Sequence, residues 1–168
     1  MNVHIRPIKE SDYPLLEDFV YTAIHTAPGD DLPPRNVIFE PEIYMYVEEF
    51  GTKPGDCGVV AEFDGTVIGM AWTRIIPAFG HIDDGTPELA ISVSPEFRGQ
   101  HVGTRLMAGL FDILRNRGYA RTSLSVQKSN PAVRFYRRLG YEIADIAMNG
   151  YIAPDRAGHD DYVMVKNL

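Results

Sequence analysis

Apolar positions along the chain switch between two periods, and the switches mark out elements. Val3, Ile5 and Ile8 form a short extended segment, after which Ser11 or Asp12 is placed to cap a helix carrying Leu15, Leu16, Phe19, Val20 and Ile24 at helical spacing. Residues 28–34, dense in Pro, Gly and Asp, read as a loop. A second helix is expected over residues 40–50, with Ile43, Tyr44, Tyr46 and Val47, ending in the breaker run 51–55. Together these two helices are placed to form a substrate wall. Residues 57–63 and 67–76 are β-rich runs joined by Asp64-Gly65, the dipeptide of a tight hairpin, and residues 89–93 form another apolar strand after the turn-rich stretch 80–86. The three runs predict an antiparallel meander. Val102, Leu106, Leu110, Ile113 and Leu114 then follow helical spacing over 102–117, with Gly118 at the C-terminal glycine position. A strand over 120–126 comes next, then a helix from an Asn130 cap and Pro131 to Gly140, then strands over 141–148 and 162–165.

Composition narrows the class. The chain has 168 residues, 45% of them apolar, enough for a single sizeable core, and no repeat or linker divides it, so residues 1–168 are read as one domain. The net charge of −7 argues against nucleic-acid binding through the overall field. Neither a signal core at the N-terminus nor a run of about 18 apolar residues is present, so no membrane partner is expected and the reading is a soluble, cytoplasmic protein. The single cysteine, Cys57, admits no intrachain disulfide; its strand-like surroundings favour a buried, inert thiol over a reactive one. The five histidines show no clustered ligand spacing, so no metal is expected.

The chemistry concentrates at one turn. A strand, then Ser94-Pro95, then Arg98-Gly99-Gln100-His101-Val102-Gly103, then a long amphipathic helix, aims unpaired backbone N–H groups at one spot. The helix dipole adds partial positive charge there, and glycines allow close approach, so a pyrophosphate fits. No Gly-Lys-Ser/Thr follows the glycines, which excludes a kinase-like phosphate loop.

This turn resembles the Arg/Gln-x-x-Gly-x-Gly/Ala signature of the GNAT acetyltransferases, with His101 at the position of the first signature glycine. Ordinary helical angles are expected at His101, with its ring turned away. The run Asn130-Pro131-Ala132-Val133-Arg134-Phe135-Tyr136-Arg137-Arg138-Leu139-Gly140-Tyr141 is similar to the family's second signature, with the alanine one place early. The resemblance covers most of the chain. It implies the GNAT fold, a mixed α/β architecture of the α+β type: a mostly antiparallel sheet of six to seven strands, splayed at a cofactor cleft and flanked by four helices. It implies an acetyl-CoA-dependent N-acetyltransferase that works by direct transfer in a ternary complex. Backbone groups of Ile91, Ser92 and Val93 would meet the acetyl group and pantetheine arm. Arg98, Gly99, Gln100, His101, Val102, Gly103, Thr104, Asn130 and Tyr136 would complete the cofactor site.

The reaction needs a base, because an alkylammonium with a reference pKa near 10.4 has no lone pair at neutral pH. Glu88, opening the strand that leads to the turn, matches the family's base in position; its competing reading is a solvated strand-end carboxylate. Asp83 and Asp84 are alternatives whose plainer role is turn formation. Tyr136 matches the family's acid for the departing thiolate, against a core reading in the apolar stripe of Ala132, Phe135 and Leu139. For the acceptor pocket the candidates are Tyr44, Trp72, Arg74, Phe79 and Tyr151, of which Trp72 and Arg74 share one strand face, where Arg74 could recognise a carboxylate. The acceptor itself, a small-molecule or peptide amine, is not identified by these residues. A homodimer is the commonest soluble assembly. Two further readings stay open: a non-catalytic acyl-CoA-binding module, and a regulatory domain whose cofactor site His101 has destroyed.

Overall fold

The computed structural model describes residues 1–148 and 160–168. Seven strands form one sheet in the order β1-β2-β3-β4-β5-β7-β6: β1 His4–Pro7, β2 Cys57–Phe63, β3 Thr66–Arg74, β4 Glu88–Val93, β5 Arg121–Gln127, β6 Glu142–Ile143 and β7 Asp161–Asn167. The expected meander of β2, β3 and β4 is present, and all neighbouring pairs are antiparallel except β4 with β5. Asp64 and Gly65, with φ of 48° and 76°, make the two-residue turn between β2 and β3.

Alternation along the strands sends side chains to two cores. Val59, Ala61, Ala71, Leu89 and Leu124 face α3 (Val102–Asn116), whose Leu106, Met107, Leu110 and Leu114 are fully buried. Gly118, just beyond the end of α3, holds φ 83° in a turn closed by the Tyr119 N–H on the Leu114 carbonyl. On the opposite face Val60, Met70 and Trp72 pack against Leu16, Phe19 and Val20 of α1 (Leu16–Ala23), together with Ile38, Val47 and Phe50. α4 (Ala132–Arg138) begins where the Asn130 side chain accepts the Ala132 N–H at 2.9 Å.

Three expectations need correction. The first helix begins as a 3-10 segment, Glu10–Leu15, because Pro14 cannot donate to an α-helical ladder. The second expected helix is a 3-10 segment, Arg35–Phe39, followed by a single turn, α2 (Pro41–Tyr44), after which the chain runs in turns to residue 51. The strand expected over 141–148 stops after two residues and continues as α5 (Ala144–Ala147), which buries Ala144 against Val163 and Val165. Short apolar runs leave the period undecided, and here the packing of β7 selects a helical turn.

Candidate functional site

β4 and β5 are parallel and are joined in register at one position only, Glu88 with Ser123. Side chains reinforce this closed end: the Thr122 hydroxyl donates to the Pro87 carbonyl at 2.8 Å and the Ser123 hydroxyl to the Gly80 carbonyl at 2.7 Å. Beyond it the strands part. The gap is a cleft of about 920 Å³ lined by Ile91, Ser92 and Val93 of β4, the turn into α3, the start of α4, and the chain from Tyr21 to Thr26. Ligands of open α/β sheets bind beyond the carboxyl ends of parallel strands for the same topological reason.

The first α-helical bond at the start of α3 is Arg105 N–H to the His101 carbonyl, and no side chain caps the helix. The N–H groups of Val102, Gly103 and Thr104 therefore have no partner within it, and all three residues line the cleft. Gly103 lets the Phe135 ring of α4 pack close to α3: a Cβ there would lie 3.3 Å from Phe135 Cζ. Gly99 holds φ 72° and needs its freedom for the turn rather than for space. His101 corrects an expectation. It is left-handed, with φ 62° and ψ 10°, and so takes the conformation a glycine would take, which histidine tolerates better than most side chains.

Most of the predicted cofactor residues come together here: Ile91, Ser92, Val93, Arg98, Gly99, His101, Val102, Gly103, Thr104, Asn130 and Tyr136 all line the cleft. Gln100 does not; it is exposed and its amide donates to the Glu96 carbonyl at 3.1 Å. Ser92 uses its hydroxyl to donate to the Phe19 carbonyl at 2.7 Å, tying β4 to α1. Arg98 donates to the Val93 carbonyl at 2.9 Å, and Arg105 reaches the Val3 carbonyl at 2.7 Å on the far side. Tyr136 packs on Phe135 and Tyr141, and burial pushes its phenol up to about 12, so it stays protonated across ordinary pH. Burial also pushes the Cys57 thiol up, and its sulfur lies 3.2 Å from the Thr73 hydroxyl, which agrees with an inert thiol.

Glu88 is not a solvated strand end. It is 2% exposed, and its Oε1 accepts the Gly80 N–H at 2.8 Å and the hydroxyl of Tyr46. It lies at the closed end of the gap, about 10 Å along β4 from Ile91. Asp83 has the turn role: its Oδ1 accepts the Gly85 N–H and the Thr86 hydroxyl, and it pairs with Arg121. These hydrogen bonds outweigh partial burial and hold its carboxyl below the usual range. The Asp84 side chain is exposed.

The acceptor-pocket expectations are corrected in two cases. Trp72 and Arg74 do share a strand face, but that face is core. Trp72 is fully buried and its indole N–H donates to the Tyr46 carbonyl at 2.9 Å. Arg74, 1% exposed, forks onto Asp56 at 2.7 and 2.9 Å and donates to the carbonyls of Met45, Glu48 and Glu49. Neither lines the cleft, and the guanidinium is committed inside the protein. Tyr44 is half-buried against Phe39, Phe79 is half-buried in the turn before β4, and Tyr151 lies outside the described residues. The sequence reading missed the stretch Tyr21–Thr26 as a cleft wall, and missed Phe135 and Arg138 on α4; the last two stand within the signature run itself. Among the described residues no group bonds the buried Nε2 of His25 in that wall. Such an atom fits an occupant that brings its own hydrogen bond.

No described helix is long and apolar enough to cross a membrane, and no described group of His, Cys, Asp and Glu could hold a metal ion.

Comparison with known proteins places this arrangement. The model of the Acetyltransferase (GNAT) family matches residues 21–141. A mycothiol acetyltransferase of Saccharomonospora viridis is 33% identical over 86 residues, 49% of this chain and 28% of that protein. The [ribosomal protein bS18]-alanine N-acetyltransferase of Escherichia coli is 31% identical over 103 residues, 61% of this chain and 64% of that protein. The chain thus spans less than half the length of the mycothiol acetyltransferases it matches. Among solved structures, the PaiA N-acetyltransferase of Thermoplasma acidophilum, in complex with coenzyme A, superposes over 100% of both chains with a TM-score of 0.68 at 18% identity, a likeness of fold.

Proposed function

The chain belongs to the acetyltransferase (GNAT) family, and from that premise we propose that it moves an acetyl group from acetyl-CoA to a primary amine, residues 1–168 acting as one catalytic unit. The observation that carries this reading is a single cleft holding both the unpaired N–H groups of Val102, Gly103 and Thr104 and the protonated phenol of Tyr136. The fit is good on two counts: helix-start donors for phosphate oxygens, and an orphaned His25 nitrogen.

Acetyl-CoA supplies the activated acetyl thioester. The start of α3 holds the pyrophosphate, and the edge of β4 from Ile91 to Val93, freed by the parting of β5, orients the arm that follows. Tyr136 keeps a proton at its hydroxyl for the sulfur that departs. Glu88 takes the proton of the acceptor ammonium, and its place outside the cleft wall calls for a water to carry that proton. The acceptor is a small molecule or a peptide amine. One observation favours the alternative, a non-catalytic acyl-CoA-binding module: Glu88 is buried and engaged by Gly80 and Tyr46, as a structural carboxylate would be.

Thermal unfolding with acetyl-CoA, followed by a thiol-release assay over a panel of amines, tests both readings. At 100 times its dissociation constant a ligand adds about 2.7 kcal/mol, a rise of several degrees. Catalysis requires that rise together with acceptor-dependent thiol release that Glu88→Gln reduces and high pH restores. A rise with no release for any amine supports the binding module, and no rise excludes both.

A further inference from the structure

The chain between α2 and β2 is irregular, yet it is gripped at four points from β3. The Trp72 indole holds the Tyr46 carbonyl, and Arg74 holds the carbonyls of Met45, Glu48 and Glu49 while its fork rests on Asp56. Asp56 in turn accepts the N–H groups of Gly51 and Lys53. Arg74 stands directly opposite Glu88 in the sheet register. The grip therefore sets Tyr46 over the start of β4, and the Tyr46 hydroxyl reaches Oε1 of Glu88, the same oxygen that receives the Gly80 N–H. The absence of a side chain at Gly80 is what lets its N–H come this close, since a Cβ there would stand 2.7 Å from Oε1.

We infer that Tyr46 is a positioning residue for Glu88: its hydroxyl, held in place by Trp72 and Arg74, fixes the carboxylate's orientation and stabilises its ionised form. This rests on the reading of Glu88 as the base. A donated hydrogen bond to a carboxylate favours the charged state, so Tyr46 keeps Glu88 ready to accept a proton at neutral pH. The other charged and titratable groups on the packed elements are already matched: Arg74 on β3 with Asp56, and Arg121 on β5 with Asp83 in the turn that also carries His81. Glu48 and Glu49 beside Tyr46 are exposed. Tyr46 acts on Glu88 by direct contact through this hydrogen bond.

The test is a carbon-13 titration of the side-chain carboxyl of Glu88 in the full chain, its resonance identified by its loss in Glu88→Gln. Tyr46→Phe keeps the ring and removes the donor, and is expected to move the Glu88 midpoint up by about one pH unit. Replacement of Tyr46 by 3-fluorotyrosine, a stronger donor of nearly the same shape, is expected to move it down. An unchanged midpoint in folded Tyr46→Phe overturns the inference; if that variant does not fold, an unchanged midpoint with 3-fluorotyrosine does so. In turnover, the acidic limb of the pH–rate profile is expected to follow the same two directions. The titration needs no acceptor, so its outcome is separate from the activity of Glu88→Gln, which tests the base reading itself.

Discussion

The two faces of the sheet are covered by different physical means. On one, the 15-residue α3 presents a regular apolar stripe, and its backbone satisfies itself through the helical ladder. On the other, α1 is eight residues long, α2 is four, and the rest is 3-10 turns and loop. Carbonyls in such a covering have no ladder to enter, and buried ones must find donors. They find them on side chains of the sheet: Trp72 for Tyr46, and Arg74 for three residues of the loop, while Ser92 ties the Phe19 carbonyl of α1 to β4. A regular face can be held by apolar burial alone, whereas an irregular one recruits polar side chains whose loss undoes several bonds together.

Arg74→Met breaks this contrast most severely. It removes the loop's donors and strands Asp56, whose side chain is 3% exposed, so a loss of about 3–5 kcal/mol is expected in urea unfolding. Leu110→Ala, on the regular face, leaves only a cavity and is expected to cost about 2–4 kcal/mol with the loop of residues 45–56 intact. Protection of the amides of residues 45–56 from hydrogen exchange separates the two: it should collapse selectively in the first variant and fall only in proportion to global stability in the second. Equal protection loss would abolish the distinction between the faces.

The next effect belongs to Asp12, which joins the irregular face to β1. Its side chain accepts two bonds from Arg6, at 2.7 and 3.0 Å, and the Lys9 N–H at 2.8 Å. The Arg6 bonds, and then the Lys9 N–H, outweigh burial and hold this carboxyl below its ordinary value. A carboxyl depressed in the folded state contributes stability above its unfolded pKa near 3.9 and loses it as pH falls through the folded value. Asp12→Asn is expected to cost about 1–2 kcal/mol at pH 7, and the gap from the parent should close as pH falls through the depressed folded value. A gap independent of pH would assign the loss to packing. The smallest effect is at His101, where glycine relieves a left-handed side chain. His101→Gly is expected to raise stability by about 1 kcal/mol or less, with cofactor binding retained.

Much of the cofactor side was legible because its signals are local. The turn from Arg98 to Gly103, the Asn130 cap and the Asp64-Gly65 hairpin each depend on residues within a few positions, and eleven of the twelve predicted cofactor residues line the cleft. Gln100 missed because neighbours in a tight turn point in different directions, and spacing alone does not say which. The acceptor side was read poorly for the opposite reason. Trp72 and Arg74 carry the residue types of a recognition surface, and only the packing of a loop some 20 to 30 residues away turns them inward.

What the sequence determined by itself was most of the order of elements, the antiparallel meander, the glycine-bounded helices and the glycine-bearing turn into α3, since backbone sterics and apolar period act over short range. The tertiary structure alone decided that β4 and β5 separate after a single pair, that His101 is left-handed, and that Glu88 is buried beneath Tyr46. Each of these depends on contacts between segments far apart in the chain. The energy of such contacts depends on burial and mutual geometry, and neither exists until the chain has folded.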